Sequence, residues 1–216
     1  MSRTDDWRRL SACRIPSTLS WHQNVLGSLA GTNILDVGCG PAPDFSGLDH
    51  IGGLRVGVDF NHAAAPSVRG SKRCDLVVIG DATELPFVED SFGIVLCKAV
   101  LTAVVAEDKC TKVLVEACRV TRPGGTVLVS DFLLNDDVEY FRARYGKLHS
   151  LPYGAFQVTD RVTGVNYVAR HFEDNWIRNQ GATLSSLRVV DYFEHTVTTR
   201  SGRQSRGFTA IICPVE

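Results

Sequence analysis

Short apolar runs recur along the chain, each ended by a turn or an acidic residue and separated by segments of helical period. Ile34-Leu35-Asp36-Val37, Arg55-Val56-Gly57-Val58-Asp59-Phe60, Asp75-Leu76-Val77-Val78-Ile79-Gly80-Asp81, the run from Gly93 to Ala99 and the run from Gly125 to Asp131 predict strands covered on both faces. Between the last two, Val113, Leu114, Ala117 and Val120 repeat at helical spacing, which predicts a helix over Glu107–Val120 stopped by Arg122-Pro123-Gly124-Gly125. Repeated strand-helix alternation implies a doubly wound α/β domain with a parallel sheet. The tail departs from it. Residues 171–180 predict a helix closed by Gly181, and residues 187–199 and 208–214 predict two strands joined through Ser201-Gly202-Arg203. Strands joined by a hairpin run antiparallel, so one antiparallel C-terminal strand is expected on a mostly parallel sheet with helices on both faces.

Two segments fall outside the alternation. Residues 1–30 hold Trp7, Trp21 and His22 and predict an N-terminal helical lid. Residues 135–170 are rich in aromatic and charged side chains, including Tyr140, Phe141, Tyr145, His149, Tyr153, Phe156 and Tyr167. No strand is predicted there, and the segment is expected to be an insertion that covers a substrate. The whole chain, residues 1–216, is expected to form a single domain.

Composition narrows the partners. Hydrophobic residues at 44%, charged residues at 22% and a formal net charge of -1 are those of a globular protein with no general attraction to nucleic acid or anionic lipid. The first ten residues lack the apolar core of a signal peptide, and no later run is long and apolar enough to span a membrane. A cytoplasmic protein, monomer or homodimer, is expected, with no nucleic-acid or membrane partner. Seven cysteines, an odd number without a Cys-x-x-Cys pair, read as reduced structural thiols, and no metal site is expected. Cys39 differs because it stands in the glycine loop, where alkylation is expected to block ligand binding.

That loop carries the chemistry. Ile34-Leu35-Asp36-Val37-Gly38-Cys39-Gly40 is a buried strand ending in a glycine turn, and Pro41 suits a helix start. Free backbone N–H groups beside a helix N-terminus bind a small anionic or zwitterionic ligand. Pro43 stands where a dinucleotide fingerprint needs its third glycine, and no Gly-Lys-Ser or Gly-Lys-Thr follows for a phosphate loop. What remains is Asp-x-Gly-x-Gly with a second acidic strand end at Asp59, spaced to accept hydrogen bonds from a ribose diol.

With these residues the chain resembles the class I S-adenosylmethionine-dependent methyltransferases. Four segments carry the resemblance: the loop through Gly40, Val58-Asp59-Phe60, Gly80-Asp81-Ala82-Thr83-Glu84-Leu85-Pro86-Phe87, and Arg119-Val120-Thr121-Arg122-Pro123-Gly124-Gly125-Thr126. The resemblance implies a Rossmann-like seven-stranded sheet and S-adenosyl-L-methionine as cofactor. It also implies that Gly38, Cys39 and Gly40 approach the methionine part, with Asp36 bracing the loop or meeting the amino group. Asp59 would hold the ribose hydroxyls, Phe60 would flank the adenine, Asp81 would accept from its amine, and the Ala82 N–H would donate to the ring. Cys97, Lys98 and Ala99 would face the methyl-transfer space. The family's third glycine is replaced by Ala42, and Pro41 and Pro43 remove two N–H donors from the loop.

Methyl transfer needs a base only when the acceptor is protonated at neutral pH. His149, His171, Lys98 and Tyr145 are the catalytic candidates, with Tyr140 as a further one; each histidine also has an ordinary reading as a surface or helix-start residue. Asp136, Asp137 and Glu139 either recognise a cationic amine or begin a solvated helix. Transfer to an oxygen or nitrogen of a small molecule is the expected activity. A non-catalytic cofactor-binding scaffold, motivated by the altered loop, is the competing reading, followed by an RNA or protein methyltransferase. Against RNA stand the near-neutral charge and Cys97-Lys98-Ala99-Val100 where an Asn- or Asp-Pro-Pro-aromatic tetrapeptide is wanted.

Overall fold

A computed structural model of the protein describes residues 30–41, 43, 45, 48, 51–62, 74–160, 164–199 and 203–215. The expected N-terminal lid therefore lies outside the described residues except for Ala30, as do Ala42 and most of the segment between Pro43 and Ile51. The strands are β1 (Ile34–Val37), β2 (Arg55–Asp59), β3 (Leu76–Ile79), β4 (Phe92–Lys98), β5 (Thr121–Phe132), β6 (Ala155–Thr159), β7 (Asn166–Arg170), β8 (Leu187–Thr198) and β9 (Gln204–Pro214). The helices are α1 (Leu101–Val104), α2 (Glu107–Val120), α3 (Glu139–Arg142) and α4 (Trp176–Thr183).

Seven strands form one sheet in the order β3-β2-β1-β4-β5-β9-β8. β1 to β5 pair parallel, and β9 runs antiparallel to both its neighbours, so it is the one reversed strand. Side chains alternate across the sheet with the strand period of two. Leu35, Val37, Val95, Cys97, Val127, Val129, Phe208, Ala210 and Ile212 face one core with α2 and α4, while Ile34, Ile94, Leu96, Leu128 and Ile211 face a second core under Phe45, Leu48 and Ile51. Helix α2 supplies Cys110, Val113, Leu114, Ala117, Cys118 and Val120 to the first core, and Glu107 and Asp108 at its start and Arg119 at its end complement its dipole. No helix of the described residues is long and apolar enough to cross a membrane.

Two expectations are corrected. Residues 135–170 do contain strands: β6 and β7 pair antiparallel as a separate two-stranded sheet, from Ala155 opposite Arg170 to Thr159 opposite Asn166. Leu134, Phe141, Tyr145, Phe156 and Ala169 build a small core beneath this hairpin, so many of the segment's aromatics stabilise the insertion itself. The insertion is tied to the main sheet where Phe172 N–H donates to Phe132 O at 2.9 Å and Leu134 N–H donates to Phe172 O at 2.8 Å. Gly181 does not close the last helix but lies inside α4. A Cβ there would stand 2.9 Å from Val189 Cγ2, so the glycine lets α4 approach β8.

Candidate functional site

The carboxyl ends of β1, β2 and β4 converge on the glycine turn. Gly38 and Gly40 have φ of +66° and +55°, the left-handed region that side chains disfavour, and a Cβ at Gly40 would meet nothing within 4 Å. The turn is fixed from β2: Gly38 N–H and Cys39 N–H both donate to Val58 O, at 2.8 and 3.1 Å. Asp59 completes the brace. Its Oδ2 accepts from Gly40 N–H and its Oδ1 from Asn61 N–H, each at 2.8 Å. Burial pushes the Asp59 carboxyl above the ordinary carboxylate range, and the two N–H donors oppose the shift. Gly57 makes room on the other side, because a Cβ there would lie 2.7 Å from Cys39 Sγ and 3.4 Å from Pro43 Cγ. Pro43 is buried against β2, which gives one of the two loop prolines a packing role.

The next wall is the turn after β3. Asp81 Oδ1 accepts from the Thr83 N–H at 2.8 Å and from its hydroxyl at 2.7 Å, folding residues 81–84 on themselves. Helix α2 then pins that turn: Glu116 Oε2 accepts from Leu85 N–H at 2.8 Å, while Arg119 donates to Phe87 O at 2.9 Å and Leu85 O at 3.1 Å. Asp36 is buried near the carboxyl end of β1, just before the glycine turn, and its charge is one cause that raises the Cys39 and Cys97 thiols.

A glycine turn braced by an acidic strand end, beside a turn closed by the Asp81 carboxylate, presents the backbone and carboxylate groups that suit an amino acid joined to a nucleoside. Comparison with known proteins gives the family. Residues 35–129 match the methyltransferase domain family. A demethylmenaquinone methyltransferase of Renibacterium salmoninarum is 32% identical over 202 residues, covering 88% of this chain and 78% of that one. The chain belongs to the class I S-adenosylmethionine-dependent methyltransferases. A demethylmenaquinone methyltransferase of Mycobacterium tuberculosis is 31% identical over 141 residues, which cover 64% of this chain and 58% of that protein. Among solved structures, a SAM-dependent methyltransferase from Methanosarcina mazei superposes with a TM-score of 0.79 at 23% identity, over 90% of this chain and 98% of that chain.

In this methyltransferase the catalytic candidates are not brought to one point. Tyr145 and His171 meet: the Tyr145 hydroxyl lies 2.7 Å from His171 Nδ1 and accepts from Asn135 N–H at 3.3 Å. One hydrogen bond thus joins the hydroxyl to the imidazole, and the Asn135 N–H occupies one of the hydroxyl's two lone pairs. His171 stacks on Phe132 and packs edge-on against Phe156, and burial holds its pKa down at about 3. Such an imidazole is uncharged at neutral pH and a poor proton acceptor. Burial also raises the Tyr145 phenol. His149 is exposed on the loop between α3 and β6, and Lys98 is half-buried at the end of β4, opposite Ser130. Cys97 is 1% exposed and packs in the main core. Cys39 is buried, and its thiol is raised chiefly by that burial and then by Asp36 and Asp59.

Sequence reasoning missed two buried ionisable groups and the exposed carboxylate that meets one of them. Asp131, at the end of β5, is fully buried with its pKa pushed up to about 7 by that burial, against backbone donors at Phe132, Thr102 and Leu101. Arg170 is 6% exposed and pairs with Glu107 at 2.6 Å. Glu107 in turn accepts from Trp176 Nε1 at 2.6 Å. Only the polarity of Asp131 within an apolar run signalled a role. Next to the insertion, a cavity of about 450 Å³ is lined by Leu134, Asp136, Asp137, Glu173, Asp174 and Arg206. Arg206 bridges Asp174 and Glu194 at 2.8 and 2.7 Å.

Proposed function

We propose that this methyltransferase acts on a small aromatic acceptor, a reduced quinone-like ring, and delivers the methyl group to a ring carbon. The observation that carries the reading is the 32% identity to a demethylmenaquinone methyltransferase along 88% of this chain.

The chain's residues divide the work. The backbone at Gly38, Cys39 and Gly40, with Asp36 nearby, would receive the methionine end of the cofactor. Asp59 keeps a lone pair on each oxygen for the ribose diol while gripping Gly40 and Asn61. Phe60 would flank the adenine, with Asp81 and the Ala82 N–H as its directional partners. When bound, the cofactor supplies a methyl group already activated on sulfur, so orientation and exclusion of water carry the catalysis. Residues 135–170 would cover the acceptor, with the Tyr145–His171 pair fixing the cover as a neutral hydrogen-bonded unit. A ring carbon becomes nucleophilic when the neighbouring hydroxyl loses its proton; once that carbon has taken the methyl group its C–H proton moves to the oxygen as the ring regains aromaticity, so one proton is released per turnover and Lys98 or His149 is the group to relay it to solvent.

A second reading, transfer to an amine nitrogen, draws on the cavity lined by Asp136, Asp137, Glu173 and Asp174, whose carboxylates suit a cation. The test is release of S-adenosylhomocysteine from S-adenosylmethionine with a panel of a naphthohydroquinone bearing one free ring position, a catechol, a primary amine and a carboxylic acid. Turnover with the hydroquinone is expected. Turnover with the amine alone would transfer the proposal to the second reading.

A further inference from the structure

The turn between β4 and α2, residues 99–105, is strained at both ends. Ala99 has φ of +55° and Val105 has φ of +69°, the latter in a β-branched residue for which this region is an outlier. Backbone strain of this kind persists only where the surroundings over-determine it. Here three buried side chains from three elements hold the turn from beneath. Asp131 of β5 accepts from Thr102 N–H at 3.1 Å and from Leu101 N–H. Cys110 of α2 directs its Sγ to Leu101 O at 3.6 Å. Arg170 of β7 donates to Val105 O at 3.1 Å while pairing with Glu107 and stacking 4.6 Å over Phe172. A planar guanidinium can serve the carbonyl and the carboxylate at once, which an ammonium does less well.

The clamped turn touches both halves of the candidate site. Val100 lies directly under the glycine turn, since a Cβ on Gly38 would stand 3.0 Å from Val100 Cγ2. Ala99 packs against Phe132, and Phe132 stacks on His171 of the insertion. Arg170 and His171 are neighbours in sequence, so the end of β7 that grips the turn also continues into the aromatic cluster.

We propose that Arg170 and Asp131 are positioning residues for methyl transfer, which clamp residues 99–105 so that Val100 braces the Gly38 turn and Ala99 braces the acceptor side. The acceptor half of this inference rests on the insertion being the substrate cover; the cofactor half does not. Neither residue touches the reacting atoms. Each acts through the backbone it holds.

The test uses S-adenosylhomocysteine as probe and no acceptor, so failure of the quinone reading leaves it intact. Binding by isothermal titration and amide exchange over residues 100–105 are measured on the full chain for wild type, Arg170→Gln, Arg170→Lys, Asp131→Asn and Ile212→Ala. The last truncates a core residue of β9 outside the clamp. Arg170→Gln and Asp131→Asn are expected to weaken binding roughly 5- to 20-fold and to speed exchange at residues 101, 102 and 105. Arg170→Lys, which keeps the charge, should fall between them and wild type. Ile212→Ala should lower the melting temperature with binding within about two-fold of wild type. Should Arg170→Gln not fold, Arg170→Lys and Asp131→Asn carry the comparison. The proposal is overturned if folded clamp variants bind within two-fold of wild type with unchanged exchange, or if Ile212→Ala weakens binding as much as they do.

Discussion

His171→Gln and Asp131→Asn are expected to change the pH dependence of stability in opposite directions. Burial lowers the His171 pKa from 6.5 to about 3, with Arg144 adding to the effect. Burial raises the Asp131 pKa from 3.8 to about 7, with Arg170 opposing. Between about pH 4.5 and 6 the unfolded chain carries a proton on His171 that the folded chain lacks, so stability from this residue rises with pH by about 1.4 kcal/mol per unit. It is fully present above pH 6.5 and is lost as pH falls toward 3. For Asp131 the folded chain holds the extra proton, so its contribution falls by about 1.4 kcal/mol per unit over the same window. That contribution is present below pH 3.8 and is lost as pH rises through 7. In wild type the two slopes cancel. Relative to wild type, His171→Gln should lose about 2 kcal/mol between pH 4.5 and 6, and Asp131→Asn should gain about 2 kcal/mol. Any imperfect fit of glutamine beside Tyr145 shifts the whole curve without tilting it. Urea denaturation at half-unit pH steps measures both. Difference profiles that are flat, or that tilt the same way, would refute the argument that both groups are neutral in the folded protein at pH 5.

Other expectations concern the glycine turn. Gly57→Ala puts a methyl 2.7 Å from Cys39 Sγ and should destabilise by about 1–3 kcal/mol while weakening S-adenosylhomocysteine binding, measured by thermal melts and calorimetry. Asp59→Asn loses a charged acceptor for Gly40 or Asn61 and for the ribose, so the dissociation constant should rise roughly 10- to 100-fold. Its melting temperature should change little, because removing a buried charge offsets the lost bond. Iodoacetamide, followed by peptide mass spectrometry, should label the partly exposed Cys213 before the buried Cys39, since burial keeps the Cys39 thiol protonated.

The sheet was legible because its signal is local. Buried strands of four to seven residues advertise themselves within one window, and so do the braced glycine turn and the acidic end of β2. The β6–β7 hairpin was not legible. Its strands alternate a few buried residues with Gln157, Thr159 and Asn166, and the aromatics that hold it come from α3 and the following loop, so no window contains its core. Gly181 looked like a helix stop because a helix-ending glycine and a close-packing glycine have the same letter; only Val189, across the α4–β8 contact, tells them apart. The clamp on residues 99–105 was invisible for the same reason. Asp131 meets Thr102 across 29 positions and Arg170 meets Val105 across 65, and the partners are backbone groups that carry no sequence signature. The histidines could be named but not ranked, because the burial that neutralises His171 and the exposure of His149 are both tertiary.

The central claim concerns the atom that receives the methyl group, and labelled transfer tests it most directly. The purified protein, incubated with S-adenosylmethionine carrying a ¹³C methyl and a naphthohydroquinone with one free ring position, should give a product whose labelled carbon resonates as a methyl on an aromatic carbon. Asp59→Asn should slow its formation in step with weaker cofactor binding. A label found as a methoxy or N-methyl group, or no labelled hydroquinone product from protein that binds S-adenosylhomocysteine, would contradict the account.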